Sequence, residues 1–167
     1  VGAPACKANP DLTIKVNLNQ IKDIVDILEP HQKLVMPNTN SQYGSSKDVI
    51  TEDSPQNPLS LYAKTKLDSE NELMQSKIDT KILRFSTIFG PAERLRFDLV
   101  VNLFIAQAYY DKKITVFGGD QERPFLHVKD ASNSITNFLN YKITNTQDIY
   151  NVGCDELNGT INEVAQL

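Results

Sequence analysis

Apolar residues recur at helical spacing and then in short runs along the whole chain. That alternation predicts an α/β protein rather than an all-α or all-β one. The first helix has Asn9 as cap, Pro10 at its first position and Asp11 at the positive end of its dipole. Ile21, Ile24, Val25 and Leu28 follow as an apolar stripe that Glu29-Pro30 ends. Lys33 to Met36 predicts a buried strand, stopped by Pro37 and the polar stretch Asn38-Thr39-Asn40-Ser41. A loop rich in Ser, Asp and Pro reaches Pro58, and a second long helix is expected from Leu59 to Lys77. Lys81 to Phe85 predicts another strand, and Gly90-Pro91 ends the region after it. Leu99, Val100, Leu103, Phe104 and Ala108 give Phe97 to Tyr110 a helical pattern. Short strands are expected over Ile114 to Phe117, which Gly118-Gly119 breaks, and over Phe125 to Val128. Asp130 is placed to cap a helix bearing Ile135, Phe138 and Leu139, and Tyr150 to Val152 predicts a last strand. Thr160 and Glu163 have capping-box spacing, so a final helix begins there.

Composition narrows the class. The 167 residues are enough to bury a sizeable core. With 40% hydrophobic and 23% charged residues the chain is expected to be globular rather than disordered. A net charge of −4 and a pI near 5.2 argue against a nucleic-acid or acidic-membrane partner, since phosphates need a concentrated basic surface. No stretch approaches the ~20 continuous apolar residues of a membrane span, and no signal peptide is visible at the front. Cys6 and Cys154 read as reduced thiols, so a cytoplasmic setting is expected. His31 and His127 lack partners at metal-ligand spacing, so no metal is assigned, and His127 reads as a structural strand-end residue.

Ser60-Leu61-Tyr62-Ala63-Lys64-Thr65-Lys66 carries the clearest chemistry. Tyr62 and Lys66 are four apart on a helix and share a face. An ammonium beside a phenol favours the phenolate, which lets a tyrosine act as a base nearer neutrality. Lowering a phenol pKa by ~3 units needs about 4 kcal/mol, more than one exposed lysine supplies, so a second positive charge is required. Alone, the same spacing also describes a surface helix with a snorkelling lysine.

Other blocks supply context. Upstream lies Pro37 to Gly44 (PNTNSQYG); downstream follow Leu83 to Pro91 (LRFSTIFGP), Val116 to Gly119 (VFGG) and Arg123 to Asp130 (RPFLHVKD). In this order, from about Asn9 to the end of the chain, they resemble the extended short-chain dehydrogenase/reductases, specifically the NAD-dependent nucleotide-sugar epimerase/dehydratase family. The resemblance implies a Rossmann-like doubly wound parallel sheet with part of a smaller substrate-binding region. Residues 1–90 would form the C-terminal half of the dinucleotide-binding domain, and 91–167 mainly the substrate-binding region, interleaved with the sheet. It implies NAD as cofactor, with NADP an alternative, a nucleotide-diphosphate sugar as substrate and a homodimer through the helices around Ile21–Leu28 and Leu59–Met74.

Residue by residue, the resemblance makes Tyr62 the general base. Thr39, four before the Tyr43-Gly44 pair, would bond the sugar hydroxyl being oxidised. Lys66 would hold the nicotinamide ribose and lower the tyrosine pKa, with the oxidised nicotinamide ring as the second positive charge. Phe85 and Ser86 would lie along the nicotinamide, and Thr87 would stand where a substrate-contacting Asn is common. Phe117 would pack on the nucleobase, and Arg123 would grip the diphosphate. Each has a plainer alternative: Thr39 could satisfy loop backbone, Phe117 could be core, and Arg123 could pair with Glu122 or Asp120. Arg94 and Arg96 read equally as a phosphate-binding pair or as a solvated loop.

Two departures shape the functional expectation. The 4,6-dehydratases carry an acidic pair after the threonine, where this chain has Asn40 and Ser41, which cannot serve as general acid and base for water elimination. A decarboxylase would usually keep a Glu at the Ser41 position. Epimerisation is therefore expected, with a reductase of the same superfamily or a non-catalytic sugar-nucleotide-binding module as alternatives. Second, none of the seven glycines forms a Gly-rich dinucleotide turn, the first residue is Val1 and the last helix is short. These features lead to the expectation of a fragment without its N-terminal βαβ unit and C-terminal end, inactive alone.

Overall fold

The computed structural model describes residues 2–29, 31–46, 49–140 and 147–167, which leaves Val1 and Pro30 outside the described residues. In chain order its elements are helices α1 (Ala3–Ala8), α2 (Pro10–Ile14) and α3 (Gln20–Ile27), strand β1 (Lys33–Thr39), helix α4 (Leu61–Gln75) and strands β2 (Asp79–Phe85) and β3 (Thr87–Phe89). Then come helix α5 (Val100–Tyr110), strands β4 (Glu122–Arg123) and β5 (Phe125–His127), helix α6 (Val128–Asn140), strands β6 (Gln147–Val152) and β7 (Gly159–Thr160), and helix α7 (Ile161–Val164). The chain divides into two compact units, Val1–Phe85 with Ile135–Asn151 and Ser86–Ser134 with Val152–Leu167.

The first unit is built on a sheet of order β1-β2-β6, with β1 and β2 parallel and Thr39 in register with Phe85. Period-two alternation puts Thr80, Ile82 and Arg84 on one face of β2. Ile82 joins Met36 and Leu73 in the core, which Ile21 and Val25 of α3 and Met74 of α4 complete. Leu73 and Ile82 are fully buried; at ~25 cal/mol per Å2, each contributes about 1.5–3 kcal/mol.

The expected helix after Asn9 is present, with the Asn9 side chain accepting from Leu12 N at 3.2 Å. It is not uniform, because Lys15–Asn19 is a π-turn. The Asn17 carbonyl accepts from the Ser69 hydroxyl at 2.5 Å, so a side chain enters the helical ladder and widens it. The helix gives way at Leu28, already extended at φ −76° and ψ 136°. Pro37 does not stop β1 as expected. Residues 37–39 stay in parallel register with Leu83–Phe85 of β2, and the Pro37 carbonyl is taken by Lys66, so partners distant in sequence carry the strand past the proline.

The second unit packs Phe104, Phe125 and Ile161 together, with Phe89, Val100 and Val164 around them. Strands β3 and β5 pair in parallel, and β4 pairs with β7 antiparallel. The strand expected over Ile114 to Phe117 is absent: these residues join no ladder. Ile114 and Val116 pack on the core as an irregular segment, and Thr115 N is satisfied by the Gln107 side chain at 3.2 Å. Helix α6 begins at Val128, so Asp130 lies in its first turn rather than at its cap. The capping box at Thr160 and Glu163 is formed in both directions. Among the described residues no helix is long and apolar enough to cross a membrane.

Candidate functional site

Helix α4 starts where Ser60, in an extended conformation, accepts from Ala63 N at 3.1 Å. That cap places Tyr62 in the first turn and Lys66 one turn later on the same side. Both are half-buried. Lys66 Nζ donates to the Pro37 carbonyl at 2.9 Å. Burial lowers the Lys66 pKa to about 8, with the Glu70 charge opposing part of the fall.

Lys66 is thereby tied to β1 two residues before Thr39, at the C-terminal end of a parallel strand. Such ends are where open α/β sheets bind ligands. The Thr39 hydroxyl accepts from Ser41 N at 3.2 Å and donates to Ser41 Oγ at 3.0 Å, so it shapes the turn after the strand. Gly44 closes that turn at φ 76°, and a Cβ there would collide with the Asn57 carbonyl. Phe85, paired with Thr39 across the ladder, is buried. In the first unit the fold thus brings Lys66 to the strand end that carries Thr39, with Phe85 alongside.

The second unit holds the other candidates. Ser86 N donates to the Val152 carbonyl at 3.0 Å, and Thr87 N to that of Pro124 at 3.0 Å. Thr87, Phe117 and Arg123 line one cavity of about 390 Å3, with Asp98, Leu103 and Gln121. The Phe117 ring is 85% exposed, which excludes a core role. Arg123 donates to the Gln121 side chain at 3.1 Å and pairs with neither Glu122 nor Asp120 among the described residues. Asp120 is engaged by Asn162 instead, at 3.1 Å. A cation, an open aromatic face and a hydroxyl around one cavity can receive an anionic, ring-bearing ligand. Arg96 is held by Asp98 at 2.6 Å, and His127 ends β5 against Phe89 at 5.4 Å between ring centroids.

The fit to a nicotinamide cofactor is local. Among the described residues the Lys66 ammonium makes one hydrogen bond, leaving two N–H groups for ribose hydroxyls. The glycines at positive φ other than Gly2, namely Gly44, Gly90 and Gly118, stand apart from one another, so the described residues form no Gly-rich pyrophosphate cradle. The nicotinamide-ribose end is what these side chains suit.

The sequence reading missed a buried polar cluster behind the site. Glu70 and Arg84, both almost wholly buried, pair at 2.5 Å and draw in Asn38, Gln42 and Tyr43. Two signals were available. Glu70 repeats the four-residue spacing of Tyr62 and Lys66, and Arg84 is a charge inside a buried strand, which requires a partner.

The family model for the NAD dependent epimerase/dehydratase family matches residues 2–153. The chain is 33% identical over 130 residues to an uncharacterized UDP-glucose epimerase, YtcB, of Bacillus subtilis (strain 168), covering 74% of this chain and 40% of that protein. It is 31% identical over 157 residues to the UDP-glucuronate 4-epimerase of Thermodesulfobacterium geofontis (strain OPF15), covering 86% and 47%. Its fold matches the UDP-glucuronic acid 4-epimerase from Bacillus cereus in complex with NAD, with a TM-score of 0.78 at 29% identity over 88% of this chain and 49% of that one. The chain spans about half the length of these relatives. With its family model matched over residues 2–153, the chain belongs to the NAD dependent epimerase/dehydratase family.

Proposed function

We propose that this chain carries the reacting residues of an NAD-dependent nucleotide-sugar epimerase, with a UDP-sugar as substrate class. One observation carries the reading: Lys66, half-buried and one turn from Tyr62, is anchored through its ammonium on the strand end that bears Thr39. NAD, held by its ribose on Lys66, would supply the hydride acceptor for oxidation of a sugar carbon and the donor for its return. Thr39 orients the sugar hydroxyl, and Tyr62 removes its proton as the carbon is oxidised. Lys66 binds the ribose and stabilises the charge that builds on the phenol oxygen. Tyr62 gives the proton back after the sugar has presented its other face. Phe85 and Ser86 flank the nicotinamide, while Thr87, Phe117 and Arg123 hold the nucleotide-sugar end in the cavity they share. In this reading residues 1–90 serve the cofactor and 91–167 mainly the substrate.

Epimerisation is favoured over elimination because Asn40 and Ser41 follow Thr39, and neither side chain supplies an acid–base pair. The two unpaired cysteines suit a cytoplasmic enzyme. A homodimer through α3 and α4 is part of the proposal. Ile21 and Val25 turn into the core, and Ile27, 75% exposed, and Leu59, just before the Ser60 cap of α4, remain for a partner. The test is incubation of the full-length protein with NAD and a UDP-hexose or UDP-hexuronic acid, with products resolved by NMR. A sugar inverted at one hydroxyl without net consumption of NAD supports the reading. A stoichiometric change in NAD redox state would point to the reductase alternative, and binding without turnover to the module.

A further inference from the structure

The buried cluster behind Lys66 converges on a single carboxylate. The Glu70 carboxylate accepts five hydrogen bonds. Arg84 Nη2 and Gln56 Nε2 reach Oε1 at 2.5 and 3.2 Å; Asn38 Nδ2, Gln42 Nε2 and Arg84 Nε reach Oε2 at 2.7, 2.9 and 3.1 Å. Three of the four donor residues, and Glu70 itself, are next to a piece of the proposed site; Gln56 comes from the loop before α4. Asn38 precedes Thr39 on β1, and Arg84 precedes Phe85 on β2. Gln42 lies in the turn that Thr39 caps, and Glu70 follows Lys66 by one turn of α4. Asn38 supplies a second argument. Its Oδ1 is buried with no hydrogen-bond partner among the described residues, which is costly, so what the position needs is its N–H2 toward Glu70.

We propose that Glu70 is a positioning residue of the active site: one buried carboxylate locks the ends of β1 and β2 to the helix face that presents Tyr62 and Lys66. The inference rests on the epimerase reading for what is positioned, and on the cluster's own geometry for how. An apolar pair could fill the same space, but it would not fix four segments to one point. A loss of about 1 Å in register between Thr39 and Tyr62 suffices to slow catalysis by ~10- to 100-fold. The cluster's charged and titratable members are Glu70 on α4, Arg84 on β2 and Tyr43 on the turn. Burial works against the Glu70 charge, but the hydrogen bonds from Arg84 and Gln42 and the Arg84 charge outweigh it, so the carboxylate stays ionised.

The test compares full-length wild type with Glu70→Gln and with the double variant Glu70→Gln/Arg84→Gln, which leaves no orphaned guanidinium should the single variant fail to fold. Thermal unfolding identifies folded protein. On folded variants, kcat should fall ~10- to 100-fold with KM for the nucleotide sugar within about threefold. A second readout needs no turnover. Acetylation of Lys66 in NAD-free protein, followed against pH by mass spectrometry, should have its midpoint near 8 in wild type and lower in Glu70→Gln, because the anion that favours the ammonium is gone; the double variant, which loses the Arg84 cation as well, is read by kcat. Lowered melting temperature with unchanged kcat and an unchanged Lys66 profile overturns the proposal and makes the cluster purely structural. If wild type shows no turnover, the epimerase reading falls. The Lys66 profile then still decides whether Glu70 governs that lysine: a lowered midpoint supports the proposal, an unchanged one overturns it.

Discussion

Replacing Arg84 by methionine isolates what the buried ion pair does for the fold. The Arg84 guanidinium binds Glu70 through Nε at 3.1 Å and Nη2 at 2.5 Å, the Glu52 carbonyl at 3.0 Å, and the Tyr43 hydroxyl. Methionine fills most of the stem volume, so the cavity cost is small. Glu70 then stays buried with only the neutral donors of Asn38, Gln42 and Gln56. Removing one partner of a buried pair costs about 3–5 kcal/mol, a large share of the ~5–15 kcal/mol that holds a typical domain together. The pH dependence carries a sign. In wild type the folded Glu70 pKa lies below its ordinary 4.5, so the pair's stabilisation is full above that value and is lost as pH falls through the folded pKa. In Arg84→Met, burial is no longer outweighed by the arginine, and Glu70 takes up a proton more readily. The deficit relative to wild type should therefore shrink as pH is lowered from 7 through about 5. Urea unfolding of both proteins by far-UV circular dichroism at several pH values measures this. A second variant, Glu70→Leu/Arg84→Met, should recover part of the loss by removing the orphaned carboxylate. A cost under about 1 kcal/mol at pH 7, or a deficit that grows on acidification, would refute the reasoning.

Arg123→Ala should raise KM for the nucleotide sugar by ~10- to 100-fold, the worth of about 2 kcal/mol in charge-assisted hydrogen bonds, with kcat changed far less; steady-state kinetics checks this. For Lys66 the folded pKa of about 8 lies below its ordinary 10.5, so its burial penalty is full below pH 8 and is relieved as pH rises toward 10.5. Wild type should therefore gain stability relative to Lys66→Met across that window, by denaturant titration. Sedimentation of the full-length protein at micromolar concentration should give a dimer, and a monomer would count against the exposed faces of α3 and α4 as the interface.

Much of the architecture could be read from local chemistry because local chemistry decides it. Ser60, Asn9 and the Thr160–Glu163 box each bond a backbone N–H within three residues, so cap and helix are visible in the same short stretch. What long-range partners decide was not visible. The π-turn at Lys15–Asn19 exists because Ser69, 52 positions from Asn17, takes a carbonyl. β1 runs through Pro37 because its partners, β2 and Lys66, lie far along the chain. Ile114 to Phe117 has a strand's composition but pairs with no strand among the described residues, whereas Glu122–Arg123, with nothing strand-like about it, finds Gly159 and Thr160. For the site, the Tyr62–Lys66 spacing was legible and the desolvation of Lys66 was not, because it depends on how α4 settles against β1. Phe117 shows the reverse: an aromatic that reads as core when taken alone stands in the open beside Arg123's cavity.

The central claim is that Tyr62 moves the proton. Its most direct test is Tyr62→Phe in the full-length protein, with turnover and nucleotide-sugar binding measured side by side. The substitution deletes one oxygen and leaves the ring, Phe117 and Arg123 in place. Loss of a general base costs about 10²–10⁴ in rate, roughly 3–5 kcal/mol of transition-state stabilisation. A loss of that size is expected in kcat, with the dissociation constant for the UDP-sugar changed by less than about threefold. A variant that turns over at the wild-type rate with NAD bound would contradict it and leave Tyr62 a structural residue.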